Sequence, residues 1–567
     1  MKLAGVFNCG LGGMDADVII FNGIVLTMQD GVARAEAVAL LGRDILKVGT
    51  DNEVKVLAGP KTRVIDARGG TVMPGFIESH MHLFAGAGEL DNLDLQGVHG
   101  FEALAQAVSA YAAARPGDYL LIGNQADYTI ISETESLTRH HLDQILADRP
   151  LLLFSPDHHT AWANTTALTR AGILSGKVVG AGNEVVMEAG GFASGELRES
   201  EAVSPVMALS PSGNRDRLGL TTGGEPEPYP DTAQFAHDLA VMKRGLDHCA
   251  KHGITSIHNM DGNLYTLELL AELDRRGELL CRVMVPFHFK NFMTVEALER
   301  ASTMAKAYSG EKLKSGFVKL FMDGVLDSWT AVMLDDYADR KGWRGEPLFS
   351  AEQFKKVAVE ADRRGLQIAV HAIGDGAVRA VLDGYEEAVL VNGKRDSRHR
   401  VEHIELVHGD DISRFASLGV LASMQPPHPP GSHGLPLEPT ISRIGKAKWH
   451  LAYAWNTLRA EGARLVFASD WPVSDINPIR SVQSAMIRKK WSDDLPDQRQ
   501  TLLQALGSYT REGAHAEFAE GRKGQLKEGF LADIVILSAD LEHAAVEKLH
   551  EVRPVTTICD GVITYQA

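Results

Sequence analysis

Eight apolar, strand-like runs separated by helical patterns constrain this 567-residue chain more than any other feature. The first follows Thr71-Val72-Met73 and the turn pair Pro74-Gly75 and runs to His80-Met81-His82. The others lie at 253–258, 281–287, 316–321, 366–371, 399–403, 419–425 and 463–470. Amphipathic stretches such as 232–252 and 350–365 fill the gaps. Parallel strands need crossovers of this kind, so the alternation predicts an α/β fold, a (β/α)8 TIM barrel. Polar or ionisable residues fall at the C-terminal ends of the runs, where such barrels carry their chemistry.

Outside the barrel the pattern changes. Short β-branched runs cut by glycine and aspartate turns occur at 18–27 and 37–44, and again at 529–537 and 555–565. Neither end has enough strands for a core, so both termini are expected to complete one composite β-sandwich. The predicted boundaries are 14–73 for its N-terminal part, 74–519 for the barrel and 520–567 for its C-terminal part. Between the first and second strands, about 84–231, apolar runs at 119–122 and 151–154 predict an insertion subdomain. A second long segment, 426–455, carries Trp449, Tyr453 and Trp455 and reads either as a lid or as a surface loop whose aromatics pack on the barrel. Residues 1–13 read as a leader or a non-native remnant, because Asn8 and the glycines end the apolar run early.

A net charge of -17 argues against a nucleic-acid partner, which needs a basic patch to displace counterions. A small-molecule substrate is expected instead, with no membrane partner and with a homo-oligomer left open. Cys9, Cys249, Cys281 and Cys559 show no Cys-x-x-Cys spacing, which fits a reducing, cytoplasmic compartment.

The strand ends offer His80, His82, Lys319, His371, His403 and Asp470. Residues two apart on a strand share a face, so the imidazoles of His80 and His82 can converge on one ion. Each residue also has a structural reading: His371 and His403 as core histidines, Asp470 as a cap ahead of Trp471-Pro472, Lys319 as a partner for Asp323. Six such groups at the correct ends of five strands point instead to a divalent metal centre, with zinc, manganese and iron all suited to the donors. An ammonium has no lone pair for a cation. A desolvated lysine has a depressed pKa, however, and its neutral amine can add carbon dioxide to form an anionic carbamate that bridges two metals.

The motifs Gly75-Phe76-Ile77-Glu78-Ser79-His80-Met81-His82, Val318-Lys319-Leu320-Phe321-Met322-Asp323-Gly324, His371-Ala372-Ile373-Gly374-Asp375, Arg400-Val401-Glu402-His403 and Ala468-Ser469-Asp470-Trp471-Pro472 together resemble the amidohydrolase superfamily. More closely, the chain is similar to its YtcJ-like branch, which includes N-substituted formamide deformylases. The resemblance implies a hydrolase of non-peptide carbon-nitrogen bonds that uses one or two zinc ions and a metal-activated hydroxide. It implies one metal on His80, His82 and Asp470, a second on His371 and His403, a bridging carbamate on Lys319, and Asp470 as general base. His159, Asp323 and Arg400 are carried as substrate-binding candidates. Glu78 stands where the superfamily commonly has Asp. A cyclic amide or ester substrate on the same centre, and a non-catalytic assembly protein that kept the barrel, are the alternatives.

Overall fold

The computed structural model describes residues 15–567 apart from 32, 33, 118, 157, 159, 181, 182, 433 and 434. The N-terminal segment read as a leader, and His159, lie outside the described residues. Ten short parallel strands form two sheets at the centre. One has the order Leu313–Lys314, Arg282–Met284, Ile254–Asn259, Phe76–Met81. The other has Phe287–His288, Phe317–Phe321, Gln367–Ala372, Arg400–His403, Leu421–Met424, Arg464–Phe467.

All eight expected runs contain strands, but the third is broken in two, and across a second break a short strand, Leu313–Lys314, precedes the fourth. Pro286 sits in the first break, where it has no N–H to continue a ladder. Gly316 sits in the second with φ +141°, a backbone conformation that suits glycine. The N-terminal pieces pair with each other and the C-terminal pieces with each other, so the third and fourth strands lie side by side across both sheets. The first and last central strands are also tied at their C-terminal ends, where Asp470 N donates to His80 O at 3.0 Å and His82 N to Trp471 O at 2.8 Å.

Helices flank these strands as the periodicity predicts. Thr232–Lys251 begins at an Asp231 cap with Gln234 closing the capping box, and Ala351–Arg363 begins at a Ser350 cap. The strands themselves are buried along their length, as expected of parallel strands covered on both faces.

Around this centre lie three further sheets. A four-stranded sheet uses residues 16–66, and a five-stranded sheet joins both ends of the chain, with Thr71–Pro74 running antiparallel to Ile534–Leu537. Val18, Ile20 and Leu40 from the first pack with Val72, Ile534, Ile536 and Ile558 from the second in one core. Between the first and second central strands, residues 93–198 supply a six-stranded sheet of their own. Alternate side chains of its strand Leu151–Phe154 enter different cores, Leu152 and Phe154 one, Leu151 and Leu153 the other. None of the described helices is long and apolar enough to cross a membrane.

One buried ion pair locks the C-terminal sheet to the central strands. Arg282 Nε meets Asp533 Oδ2 at 2.7 Å, and Arg282 Nη2 meets Asp560 Oδ1 at 2.7 Å. Removing the guanidinium would strand a buried carboxylate, which typically costs ~3–5 kcal/mol. Arg282→Met is therefore expected to lower the urea midpoint of unfolding markedly. An unchanged midpoint would show that the pair contributes nothing net.

Candidate metal centre

The C-terminal ends of the parallel strands bring the predicted residues together. Strand register sets this: Phe321 lies opposite His371, and Ala372 opposite His403. His80 and His403 ring centroids are 4.8 Å apart, and those of His371 and His403 4.5 Å. His403 and Asp470 both adopt positive φ, 77° and 61°, a strained backbone of the kind held at functional sites.

Orientation of the imidazoles is fixed from behind. His80 Nδ1 lies 2.7 Å from Glu402 Oε2, His82 Nδ1 2.5 Å from Asp261 Oδ1, and His403 Nδ1 2.9 Å from Gln425 Oε1. A carboxylate only accepts, so Nδ1 of His80 and of His82 carries the proton and Nε2 presents a lone pair. Those lone pairs face Asp470 Oδ1 at 3.3 and 3.1 Å. Three electron-rich atoms thus converge, all buried, within 4.8 Å of one another. Either a proton or a metal ion between them makes the contact attractive, and the donor set suits a divalent metal.

The electrostatics agree with that donor set. Burial, then the Lys319 charge, holds His80 down at about 4. Burial likewise disfavours charge on His82, yet the Asp261 and Asp470 carboxylates outweigh it and push the imidazole up to about 9, a proton taking the place of the cation. Burial opposes ionisation of Asp470, but the imidazoles of His80, His82 and His403 hold its carboxyl well below the usual range. Lys319 is fully buried, its Nζ has no hydrogen-bond partner among the described residues, and burial lowers it to about 8.

The remaining candidates have definite places. His371 commits Nε2 to Gly324 O at 2.9 Å, so Nδ1 is the ring atom left over. Asp323 is buried with its carboxylate accepting from Val332 N, Ile373 N and Gly374 N at 2.9, 3.0 and 2.9 Å, so it braces the loops beside His371. Arg400, expected at the substrate, lies fully buried instead, with its donors taken by Ser79 O, Glu402, Ser423 Oγ and His258. Glu78 accepts from Ser469 N at 2.6 Å and so ties the first strand to the residue before Asp470.

Sequence reasoning missed His428. It follows the seventh strand in Gln425-Pro426-Pro427-His428-Pro429-Pro430, stacks on His403 at 6.0 Å and 8°, and places Nε2 3.9 Å from Asp470 Oδ2. His403, His428 and Asp470 form a second cluster of possible ligands. A histidine three residues past a strand end was the available signal. In the same segment Tyr453 and Trp455 are buried, with Trp455 against Phe467 at 5.7 Å, which fits the packing-loop reading of these aromatics.

A family profile described as "Amidohydrolase family" matches residues 63–565. The protein YtcJ of Bacillus subtilis is 27% identical over 550 residues, 96% of this chain and 98% of that one. The N-substituted formamide deformylase of Arthrobacter pascens is 26% identical over 562 residues, 97% and 98% of the two chains. Among solved structures, an uncharacterized metal-dependent hydrolase from Pyrococcus furiosus superposes with a TM-score of 0.70 at 26% identity, covering 91% of this chain and 98% of that one.

Lys290 flanks the site, mostly buried, with Nζ donating to Leu220 O at 2.8 Å. Burial, then the Lys319 charge, lowers it from 10.5 to about 7. Between those values the unfolded chain holds a proton that the native state has lost, so stability rises with pH, by up to about 1.4 kcal/mol per unit. Lys290→Met is expected to flatten this rise. Urea midpoints of parent and variant that run parallel from about pH 7 to 10 would contradict the assignment.

Proposed function

Because the chain belongs to the amidohydrolase family, we propose that it hydrolyses an amide or related non-peptide carbon-nitrogen bond of a small molecule at a divalent metal centre. The observation that carries this reading is the buried convergence of His80 Nε2, His82 Nε2 and Asp470 Oδ1. A non-catalytic barrel would have no reason to keep such a costly arrangement of lone pairs. The deformylase likeness supports an N-acyl amine as the substrate class.

In this reading the two parallel sheets close into one (β/α)8 barrel over residues 74–519. Residues 14–73 and 520–567 form the composite β-sandwich, and about 84–231 the insertion. Hydrogen bonds between the first strand and the segment after the last support closure. Free, buried Cys249, Cys281 and Cys559 fit a cytoplasmic setting.

His80, His82 and Asp470 would hold one ion, zinc by preference for such donors, and His371 and His403 a second, with His428 close to His403 and Asp470. A bound divalent cation supplies Lewis acidity, lowering the pKa of water from about 15.7 to about 7 and polarising the scissile carbonyl. Lys319 Nζ, uncharged above about pH 8 and without a partner among the described residues, is the amine that would take up carbon dioxide as a bridging carbamate. Asp470 is the base: its carboxylate accepts the proton of the attacking water and returns it to the leaving nitrogen. Asp261, Glu402 and Gln425 hold the imidazole rings so that no reorientation accompanies the reaction. Asp323 keeps the loops beside His371 in register.

Two substitutions separate these roles. Asp470→Asn should leave the fold intact and cut turnover by roughly 10²–10⁴-fold, the usual contribution of a general base; near-parent turnover would remove Asp470 from that role. Lys319→Ala should lose activity and most bound zinc, with partial rescue by short-chain carboxylic acids. Full activity in that variant would sink the bridging carbamate. Both are read on a panel of N-acyl amines, cyclic imides and aryl esters, alongside metal content.

A further inference from the structure

A column of buried charge runs beneath the metal centre, away from the mouth. Its far end is in the segment after the last central strand, where Glu517 pairs with Lys523 at 2.5 Å and with Lys314 at 2.8 Å. Lys523 Nζ also donates to Ser256 Oγ at 2.5 Å. From the second central strand His258 places Nε2 3.4 Å from Glu517 Oε1, a contact without hydrogen-bond geometry. Its other nitrogen, Nδ1, accepts from Arg400 Nη1 at 3.0 Å, and because a guanidinium only donates, the ring proton must sit on Nε2, toward Glu517. Arg400 then holds Glu402, Nη2 donating to Oε2 at 3.2 Å while Nε lies 2.8 Å from Oε1 as a charge contact without hydrogen-bond geometry. Glu402 Oε2 ends the column at His80 Nδ1, 2.7 Å away.

We infer that Arg400 is a positioning residue of the metal centre, and that it is itself held from below through His258 by Glu517 of the C-terminal segment. The inference rests on the metal reading above. Geometry gives the reason. A carboxylate alone can turn about its terminal torsion, which is broad. One charge-assisted hydrogen bond and a close charge contact from the guanidinium restrain Glu402, and with it the direction of His80 Nε2. Ser79 O and Ser423 Oγ share Nη2 with Glu402, and His258 takes Nη1, so partners on two sides hold the guanidinium. The segment 517–523 is in this view part of the machinery, although it lies beyond the last central strand.

The test is the dissociation constant for Zn2+ alone, measured on the full chain by competition with a chelator, for Arg400→Met, Arg400→Lys and Glu517→Gln. The unfolding midpoint of each metal-free variant is measured in parallel. Arg400→Met is expected to weaken Zn2+ binding roughly 10–100-fold, the range for loss of a group that orients a ligand. Arg400→Lys should recover part of that loss, and Glu517→Gln should weaken binding by a smaller factor with Arg400 intact. A merely structural role predicts lower midpoints with parent-like Zn2+ affinity well below the unfolding range, and that result overturns the inference. Where Arg400→Met does not fold, parent-like affinity in both Arg400→Lys and Glu517→Gln overturns it equally. A parent protein that binds no Zn2+ overturns the metal reading and this inference together.

Discussion

Two imidazole lone pairs facing one buried carboxylate oxygen are the interaction on which the rest of the molecule depends. His80 Nε2 and His82 Nε2 approach Asp470 Oδ1 closely, a contact that needs a positive charge, from a proton or a metal, between the atoms. A cation turns the same geometry from repulsive to strongly attractive. Everything around it serves to keep three side chains from three directions aimed at one point. Glu402 and Asp261 fix the rings, Glu78 fixes the backbone before Asp470, and main-chain bonds between His80, His82 and the residues after the last strand fix the distance between the two chain segments.

Much of this is legible in the sequence. Strand ends are where a parallel α/β fold exposes chemistry, and the period-two spacing of His80 and His82 is enough to place both on one face of a strand. Alternation of strand and helix, the shared sheet of the two termini and the separate sheet between the first two strands all follow from runs of apolar residues and from where glycine and proline interrupt them. What the runs do not encode is pairing. Pro286 and Gly316 interrupt the ladder, but an interruption carries no sign of how the pieces pair, and here like pieces of the third and fourth strands join each other.

The illegible part of the site is the layer behind the ligands. Asp261, Gln425 and Glu402 are ordinary polar residues close to strand ends, and no local pattern distinguishes a carboxylate that orients a histidine from one that faces solvent. His428 is hidden for a similar reason, since a proline-rich loop has no periodicity from which to infer a direction. Arg400 shows the opposite failure. Its place in a motif beside Glu402 and His403 suggests contact with substrate, but the strand alternation that points His403 one way points Arg400 and Glu402 the other, into the interior.

That interior placement has a cost, and the cost explains its form. An isolated charge under the metal site would be strongly unfavourable, and a hydrophobic plug of the same volume would often be more stable. A plug, however, has no means of setting the direction of a histidine nitrogen. In the column of Glu517, His258, Arg400 and Glu402, Lys523 and Lys314 compensate Glu517 and Arg400 compensates Glu402, and the chain ends on a hydrogen-bond acceptor at His80. Stability is given up for orientation, which is the quantity a metal centre requires. Because the flanking lysines come from another strand and from the C-terminal segment, orientation at the mouth is linked to how that segment packs at the opposite end.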